Sequence, residues 1–544
     1  MTVAAESQPT PSISSMTAHV EQIVNALSLS PDDVRRVTKH LVRQLKDGLA
    51  NDRPWQLPTY VQNVPTGAEK GKFLAIDLGG SNCRVCMADL HGDSTFTVVQ
   101  SKHRVPAHAM VNQSYRPLFD FIAQKLADFI DRYLDRESTV PYKLGFTFSF
   151  TCEQESLRSS RLIHWDKGWD IPEAIGRDPC VLLQEAIDGM GLPVVVTVLA
   201  NDSVGTLLTR AYTSGRDVST LGAVIFGTGT NAAYVESVRN LTRIQVGTKR
   251  AEQNEGQDEG GIMVINSEWG ALDDEMAVLP RTELDDQLDA ASVDPGSQML
   301  EKRVSGLYLG ELLRLAILQL LSNGGLNIEV DSTSCLFAQY GVDSSLVSQL
   351  AIAGNNVSDA IDHLQNTLSA KNISISDAKS IQLIAEAIAR RAARLSGASL
   401  AAVVIQSGRL GTSLNRANVT TSTQRSPILP LSFRSFYNYA PLLLRHVVHL
   451  IRLICQRPSW LVPKQSPHLS GTVGATTLDE VIDFGADGSL IEFYPGFETE
   501  MRQAMREVDE IGRAGEQRIR ITLTPDGSGV GAALMAYAAS LESN

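Results

Sequence analysis

The same local pattern occurs twice in this chain: an apolar strand runs into a glycine-rich turn, and a second strand follows at once. In the first copy, predicted strands at 72–77 and 83–87 flank the sequence DLGGSN. In the second copy, predicted strands at 221–226 and 232–238 flank the sequence GTGTN. Both copies are typical of β-hairpins with glycine tips. Because two such tips can face one triphosphate from two sides, the repeat favours a fold with an ATP cleft.

Helical patterns lie before, between and after these hairpins. Residues 20–49 are predicted to be helical, with Ser30 capping a second helix that has Pro31 at its first position. Further helices are predicted at 117–134, 204–212, 306–322, 360–370 and 380–406, and further strands at 95–100, 143–150 and 194–199. At 544 residues the chain is too long for one typical core, so we expect two domains.

The charge balance excludes one class of partner. The formal net charge is -13, and no strongly basic patch occurs outside one segment described below. Since binding to a phosphate backbone needs clustered Lys and Arg, we expect no nucleic-acid partner. The 6 cysteines are too scattered for a disulfide framework. Cys83 and Cys86 lie within a predicted strand, which favours packing over redox chemistry.

The first residues carry no targeting signal that we recognise. Residues 1–17 are rich in Ser, Thr and Pro and are predicted to form a disordered tail. They lack an apolar core of signal-peptide length, and the chain has no clean apolar run of membrane-spanning length. We therefore expect a cytoplasmic protein without stable membrane insertion.

The first glycine turn has the residue types that suit a phosphate group. Gly79 and Gly80 let backbone amides approach phosphate oxygens, because no Cβ stands in the way. Asp77 can reach a hydrated Mg²⁺, and the hydroxyl of Ser81 can donate to a phosphate oxygen. Taken alone, however, such a turn is more often only a hairpin turn.

Two later glycine motifs favour the same chemistry. In the second turn, Gly227, Thr228 and Gly229 alternate hydroxyl and glycine, which suits a triphosphate. The sequence DGSGVGAA at 526–533 leads into a predicted helix at 532–539, whose amino terminus could bind an anion. The chain contains neither a P-loop motif nor the motif set of protein kinases.

Phosphoryl transfer to a hydroxyl also needs a base and a cation. Asp202 is the best candidate for the base, because it follows an apolar strand and precedes a helix. Lys167, in the sequence WDKGW, is the best candidate for the cation. A single Asp or Lys is usually a solvated surface residue, so the hypothesis depends on their occurring together.

Taken together, nine ordered motifs resemble the hexokinase family, over roughly residues 59–411 and 481–539. They lie at 74–85, 144–150, 165–168, 201–207, 227–231, 265–270, 301–311, 486–489 and 527–533. The sequences HGD at 91–93 and FYPGF at 493–497 are similar to fungal members in particular. The resemblance implies an α/β, two-lobed actin-like ATPase (ribonuclease H-like) fold, with a cleft between a small and a large domain.

The resemblance also implies roles for individual residues. Glucose or a related hexose would be bound by Ser149, Asp166, Lys167, Asn201, Asp202, Asn231, Glu268 and Glu301, with Asp202 deprotonating the 6-hydroxyl. Carboxylate and amide groups suit a polyol, because each makes directed hydrogen bonds. ATP would contact Asp77, Gly79, Gly80, Ser81, Asn82, Arg84, Gly227, Thr228, Gly229, Gly488 and Ser489. Mg²⁺ would bridge its phosphates and reach Asp77 through water.

Some positions depart from the family pattern. Asp166 stands where the family usually has Thr, and it could accept from a sugar hydroxyl, pair with Lys167 or repel the triphosphate. Thr151 replaces a Pro that stiffens the loop after Ser149. Ser81 for Thr and Cys83 for an aromatic residue are mild changes. We favour an active hexose kinase, because Asp202 is retained, and the alternative is a catalytically weak or inactive sugar sensor. A chaperone or filament ATPase of the same broad fold would not need the sugar-binding residues.

The proposed division of the chain follows the motifs. We predict an N-terminal hexokinase region at 18–207, which includes the small domain, and a C-terminal region at 208–410 and 479–544. Between them, residues 411–478 contain no Asp and no Glu, although the whole chain has 61 acidic residues. A basic amphipathic helix around 442–455 could dock on a membrane or a partner. We favour a second interpretation, in which the segment is translated non-coding sequence such as a retained intron.

Overall fold

The computed structural model describes residues 13–80, 82–165, 168–244, 261–411 and 481–541. Two larger β-sheets organise this part of the chain. Ser81, Asp166, Lys167, most of the predicted tail at 1–17 and nearly all of the acid-free segment at 411–478 lie outside the described residues.

The first sheet contains the first hairpin. Its strands, in spatial order, are β4 (Phe96–Arg104), β3 (Asn82–His91), β2 (Lys70–Leu78), β5 (Tyr142–Phe148) and β8 (Val194–Ala200). The β2–β3 and β3–β4 pairs are antiparallel, whereas β5 pairs in parallel with both β2 and β8. A separate ribbon consists of β6 (Cys152–Ser156) and β7 (Ser159–Leu162).

The second sheet repeats this layout. Its spatial order is β1 (Leu57–Pro58), β11 (Ile262–Asn266), β10 (Thr230–Ser237), β9 (Thr220–Phe226), β14 (Ile482–Asp487) and β15 (Ile519–Leu523). The β9–β10 hairpin and the β10–β11 pair are antiparallel, whereas β14 pairs in parallel with both β9 and β15. Both predicted hairpins are therefore present, each followed by parallel strands. A short pair, β12 (Glu329–Val330) and β13 (Ala370–Lys371), stands apart.

The described residues also form helices. In chain order they are α1 (Ile13–Leu27), α2 (Pro31–Ala50), α3 (Ala107–Met110), α4 (Arg116–Tyr133), α5 (Pro179–Gly189), α6 (Asp202–Ser214), α7 (Glu283–Ala291), α8 (Glu301–Val304), α9 (Gly306–Ser322), α10 (Ser344–Ala353), α11 (Val357–Leu368), α12 (Ile375–Gln406), α13 (Ser489–Phe493), α14 (Phe497–Arg506), α15 (Gly512–Arg518) and α16 (Gly527–Leu541). Ser30 caps α2 through a capping box with Asp33, and Pro31 is the first helical residue, as predicted.

Three groups of buried apolar side chains form the cores. One lies beneath the second sheet and includes much of α2, α9 and α12, and another packs α4 and α5 against the first sheet. The third joins residues of both sheets around α6 and α16. Within the described ranges, no helix is both long and apolar enough to cross a membrane.

The third glycine motif has a different local structure from the one predicted. Helix α16 begins at Gly527, not at Ala532, so most of the motif lies inside the helix. The reason is packing against α6. A Cβ on Gly531 would lie 2.1 Å from the carbonyl oxygen of Gly205, and a Cβ on Gly205 would lie 2.8 Å from the carbonyl oxygen of Ser528. Glycine is therefore needed at both positions for the two backbones to approach.

Candidate active site

A polar cavity of about 200 Å³ lies where the turns of the two hairpins face each other. Most of the predicted site residues line it. From the predicted set these are Asp77, Gly79, Gly80, Arg84, Ser149, Asn201, Asp202, Thr228, Gly229, Asn231, Glu268, Glu301 and Gly488. Residues separated by hundreds of positions in sequence are thus placed around one space.

One wall of the cavity consists of amide and carboxylate side chains that contact each other. The Nδ2 of Asn231 donates to the Oδ1 atoms of Asn266 (2.9 Å) and Asn201 (3.2 Å). The Nδ2 of Asn266 donates to Oε1 of Glu268 at 2.7 Å. Glu301 accepts from the backbone N–H of Thr230 at 2.8 Å. These mutual contacts fix the direction of each group, which suits recognition of several hydroxyls at defined positions.

Glu268 reaches this wall through an unusual backbone conformation. It lies two residues after the end of β11 and has a left-handed φ of 46°. Non-glycine residues adopt this region rarely, and such strain is concentrated at functional sites. The conformation turns the chain sharply after the strand and leaves the Glu268 side chain in the cavity lining.

Asp202 is the first residue of α6 and lines the same cavity. Asn201 caps the helix, and its Oδ1 accepts from the backbone N–H of Ser203 at 2.9 Å. The Oδ1 of Asp202 accepts from the same N–H at 2.7 Å. The amino terminus of a helix favours a negatively charged side chain, because unpaired N–H groups and the helix dipole are directed there. A carboxylate is therefore held at the position predicted for the base.

Another part of the cavity lining consists mainly of backbone. In the second turn, the N–H of Gly227 donates to the carbonyl of Gly229 at 3.0 Å. Gly488 packs against this turn with a φ of 115°, and a Cβ there would lie 2.4 Å from the carbonyl of Phe226. Only glycine fits such a space. The resulting surface of glycines and the Thr228 hydroxyl suits the oxygens of a polyphosphate.

A cluster of charged groups also lines the cavity. Burial raises the pKa of Asp77, and the Arg84 guanidinium, whose Nη2 is 3.9 Å from Oδ2 of Asp77, opposes that rise. The hydroxyl of Ser528 donates to the same oxygen at 2.8 Å. Arg84 also pairs with Asp526, with 2.6 Å between Nη1 and Oδ1. Burial raises the pKa of Asp487 to about 6, and the nearby charges of Asp202 and Asp77 add to that rise.

Some predicted residues lie elsewhere. Asn82 is the first residue of β3, Gly227 is in the second turn and Ser489 is the exposed first residue of α13, but none of the three lines the cavity. Ser81, Asp166 and Lys167 lie outside the described residues. The cavity is also lined by residues that were not predicted as part of the site, namely Phe150, Thr151, Ile225, Thr230, Gln298, Asp487 and Ser528. Asp487 and Ser528 lie in motifs that were recognised, whereas nothing in the local sequence indicates Gln298.

Two mixed sheets whose glycine hairpins face one polar cavity define a protein of the two-lobed actin-like ATPase fold. Models of the hexokinase family match residues 19–212 and residues 221–429 with 432–538. The glucokinase of Aspergillus niger is 38% identical over 537 residues, which cover 94% of this chain and 94% of that protein. Glucokinase-1 of Saccharomyces cerevisiae is 32% identical over 549 residues, covering 96% of this chain and 97% of that protein.

The solved structures agree with the sequence relatives. A hexokinase from Schistosoma mansoni, determined in complex with glucose, superposes with a TM-score of 0.74. It is 26% identical, and the match covers 97% of this chain and 100% of that one. The chain belongs to the hexokinase family and is an ATP-dependent hexose kinase.

Proposed function

We propose that the protein transfers the γ-phosphoryl group of ATP to the 6-hydroxyl of glucose or a closely related hexose, the entry step of glycolysis. The observation that carries this proposal is the shared cavity, in which Asp202 and the amide and carboxylate wall face the glycine turns. The names of the relatives and the glucose in the Schistosoma mansoni structure support glucose as the acceptor.

Asp202 is the proposed general base. The 6-oxygen of the sugar attacks the γ-phosphorus, its proton passes to the Asp202 carboxylate, and the bond from the γ-phosphorus to the bridging oxygen breaks to leave ADP. The other sugar-binding residues are those predicted from the sequence, namely Ser149, Asp166, Lys167, Asn201, Asn231, Glu268 and Glu301. Their role is to hold the 6-hydroxyl in line, which lowers the entropic part of the barrier.

ATP is proposed to lie along the glycine turns, with Arg84 close to its phosphates. Among the described residues, no group of three or more His, Cys, Asp and Glu could hold a metal ion directly. The site still fits Mg²⁺, because Asp77 is a buried carboxylate on the cavity wall and phosphate oxygens supply the remaining ligands. A bound Mg²⁺ would neutralise charge that develops on the phosphates.

We also propose how the chain is divided into regions. The family matches at 19–212 and from 221 onward support a boundary between the two regions near residue 207. For residues 411–478 we retain the interpretation as translated non-coding sequence. Transcript reads that run through this segment without a gap would contradict it. A cytoplasmic location is proposed on the sequence features given above.

A coupled ADP-release assay with glucose and Mg-ATP tests the function. We expect glucose-dependent turnover in the unchanged chain and a loss of at least about a hundredfold in Asp202→Ala, because the proton has no acceptor. Asp188→Ala is the matched control, since Asp188 is an exposed carboxylate at the end of α5. The variant should retain full activity.

The same assay distinguishes the sugar sensor from the kinase. A sensor would bind glucose, release no ADP and regain turnover in Asp166→Thr, because that change removes a carboxylate beside Lys167. Turnover in the unchanged chain that is lost in Asp202→Ala would instead establish the kinase and show that Asp166 is tolerated.

A further inference from the structure

One side-chain hydrogen bond joins the loop of the predicted sugar ligands to the first glycine turn. The indole Nε1–H of Trp169 donates to the carbonyl oxygen of Gly80 at 2.7 Å. Trp169 comes two residues after Lys167, one of the predicted sugar ligands. Gly80 lies between β2 and β3 and lines the cavity on the side where phosphate is expected. The bond therefore connects two parts of the site that bind different substrates.

The first turn needs such an anchor. Gly79 and Gly80 have no side chains, and glycine backbones have many accessible conformations. Other described bonds hold the base of the turn: the N–H of Gly79 donates to the carbonyl of Asn82 at 3.0 Å, and the N–H of Ser149 donates to the carbonyl of Leu78 at 3.2 Å. The indole bond reaches Gly80 itself. Because a peptide unit is planar, fixing this carbonyl fixes the whole peptide plane that follows Gly80.

Trp169 is itself held firmly in the sugar-side loop. It is 4% exposed and stacks on Trp165, with ring centroids 5.6 Å apart and ring planes at 14°. Its ring also lies 4.9 Å from that of Phe150, which lines the cavity. The next residue, Asp170, donates its N–H to the carbonyl of Met110 at 3.0 Å. A shift of Phe150 on sugar binding would therefore reach the indole through the contact between the two rings.

The bond does not depend on closure of the two lobes. Gly80 follows β2 of the first sheet, and Trp169 packs in the apolar core of the same sheet with Phe148, Phe150 and Trp165. Communication through this bond therefore acts within one lobe, in addition to any effect of lobe closure.

We propose that Trp169 is a positioning residue that couples sugar binding to the conformation of the first phosphate-binding turn. The proposal rests on the function given above. Because the indole packs on Phe150, which lines the cavity, a sugar bound there acts through this ring contact, and the indole holds the Gly80 peptide plane in the orientation that receives a nucleotide phosphate. Because coupling between two ligands is reciprocal, a nucleotide must tighten sugar binding by the same factor.

The simpler alternative is that Trp169 only fills the aromatic core and that Gly80 merely satisfies its indole. Trp165 provides a matched control for this alternative. It belongs to the same aromatic cluster, but its indole N–H donates to the carbonyl of Ile171 at 2.9 Å, within its own loop. Trp165→Phe and Trp169→Phe each replace an indole by a smaller ring, yet only the second removes a bond to the turn.

The experiment measures the dissociation constant of glucose by calorimetry, with and without a non-hydrolysable Mg-ATP analogue. The ratio of the two constants is the coupling factor. In Trp169→Phe we expect this factor to fall about fivefold, the effect of one hydrogen bond, while glucose affinity without the analogue changes less than about twofold. In Trp165→Phe the coupling factor should remain that of the unchanged chain. The KM for Mg-ATP should rise in Trp169→Phe alone.

Three results would overturn the proposal: an unchanged coupling factor in Trp169→Phe, an equal fall in Trp165→Phe, or a factor of one in the unchanged chain. If Trp169→Phe proves much less stable than Trp165→Phe, Trp169→His is measured instead, because its ring keeps an N–H donor. Retained coupling there supports the proposal, and lost coupling contradicts it. The ratio needs binding but no turnover, so a chain that binds both ligands without releasing ADP would refute the proposed kinase activity separately.

Discussion

The two glycine turns at the cavity resemble each other in sequence, but they are held in different ways. The second turn is fixed by the backbone of a long helix: the N–H groups of Gly306 and Leu307, at the start of α9, donate to the carbonyls of Gly227 (2.8 Å) and Thr228 (3.2 Å). The described bond that reaches the tip of the first turn comes from one side chain, the indole of Trp169.

This difference indicates how much each turn can move. The bonds to the second turn belong to the first residues of a 17-residue helix, so breaking them would leave helix N–H groups unpaired. The bond to the first turn requires only that one loop keep its place. We therefore expect the second turn to be formed before any substrate binds and the first turn to respond to the sugar.

The most severe test of a rigid second turn is Gly488→Ala. The new Cβ would lie 2.4 Å from the Phe226 carbonyl, and the φ of 115° disfavours any side chain. We expect a loss of about 3 kcal/mol or more in the free energy of unfolding, measured by denaturant titration. Gly496→Ala is the control, because Gly496 also has a positive φ (81°) but open space around it. Gly496→Ala should lower the free energy of unfolding by only about 1 kcal/mol. Equal losses in the free energy of unfolding for the two variants would show that the second turn can change its conformation to accept the new side chain.

A pH-dependent effect is expected beside the same turn. Asp487 has a pKa of about 6 in the folded chain, above its ordinary 3.8, because it is buried. Between these pH values the folded chain holds a proton that the unfolded chain has lost, so the free energy of unfolding falls as pH rises towards 6. Asp487→Asn removes this loss and keeps an acceptor for the N–H of Gly488. The free energy of unfolding of this variant should exceed that of the unchanged chain by up to about 3 kcal/mol at pH 7 and by little near pH 4.

Denaturant titrations of both chains between pH 4 and pH 7.5 measure this difference. Two stability curves that run parallel over this range would contradict the assignment of the elevated pKa to Asp487.

The smallest expected effects come from a pair of substitutions that compares the two turns directly. A Cβ on Gly306 would lie 2.9 Å from the carbonyl oxygen of Gly227, whereas a Cβ on Gly79 would meet nothing closer than 3.9 Å. Gly306→Ala should therefore lower the free energy of unfolding by about 1–2 kcal/mol, and Gly79→Ala by less than about 0.5 kcal/mol. Gly79→Ala should still raise the KM for Mg-ATP, because its methyl group enters the cavity. If Gly79→Ala proved the more destabilising, the assignment of rigid and adjustable turns would be reversed.

Features encoded over a few residues were predicted well from the sequence. The two hairpins, the Ser30 cap and the bounds of α9 follow from local patterns, because a strand, a cap or a helix face is determined by neighbours in the chain. The motifs also predicted most of the residues that line the cavity, although their chemical roles remain predictions.

Features that depend on distant contacts could not be predicted in this way. The glycines of α16 resemble a phosphate-binding turn in sequence, yet Gly531 and Gly205 are required where two helices cross. Gln298 enters the cavity, and Trp169 meets Gly80, only because the folded chain brings separate segments together. The sequence by itself determined the hairpins and the Ser30 cap, since these depend on local spacing, and its resemblance to the hexokinase family indicated most of the polar residues that line the cavity. Only the tertiary structure decided which glycines serve packing and how each turn is held, because those bonds join residues far apart in the chain.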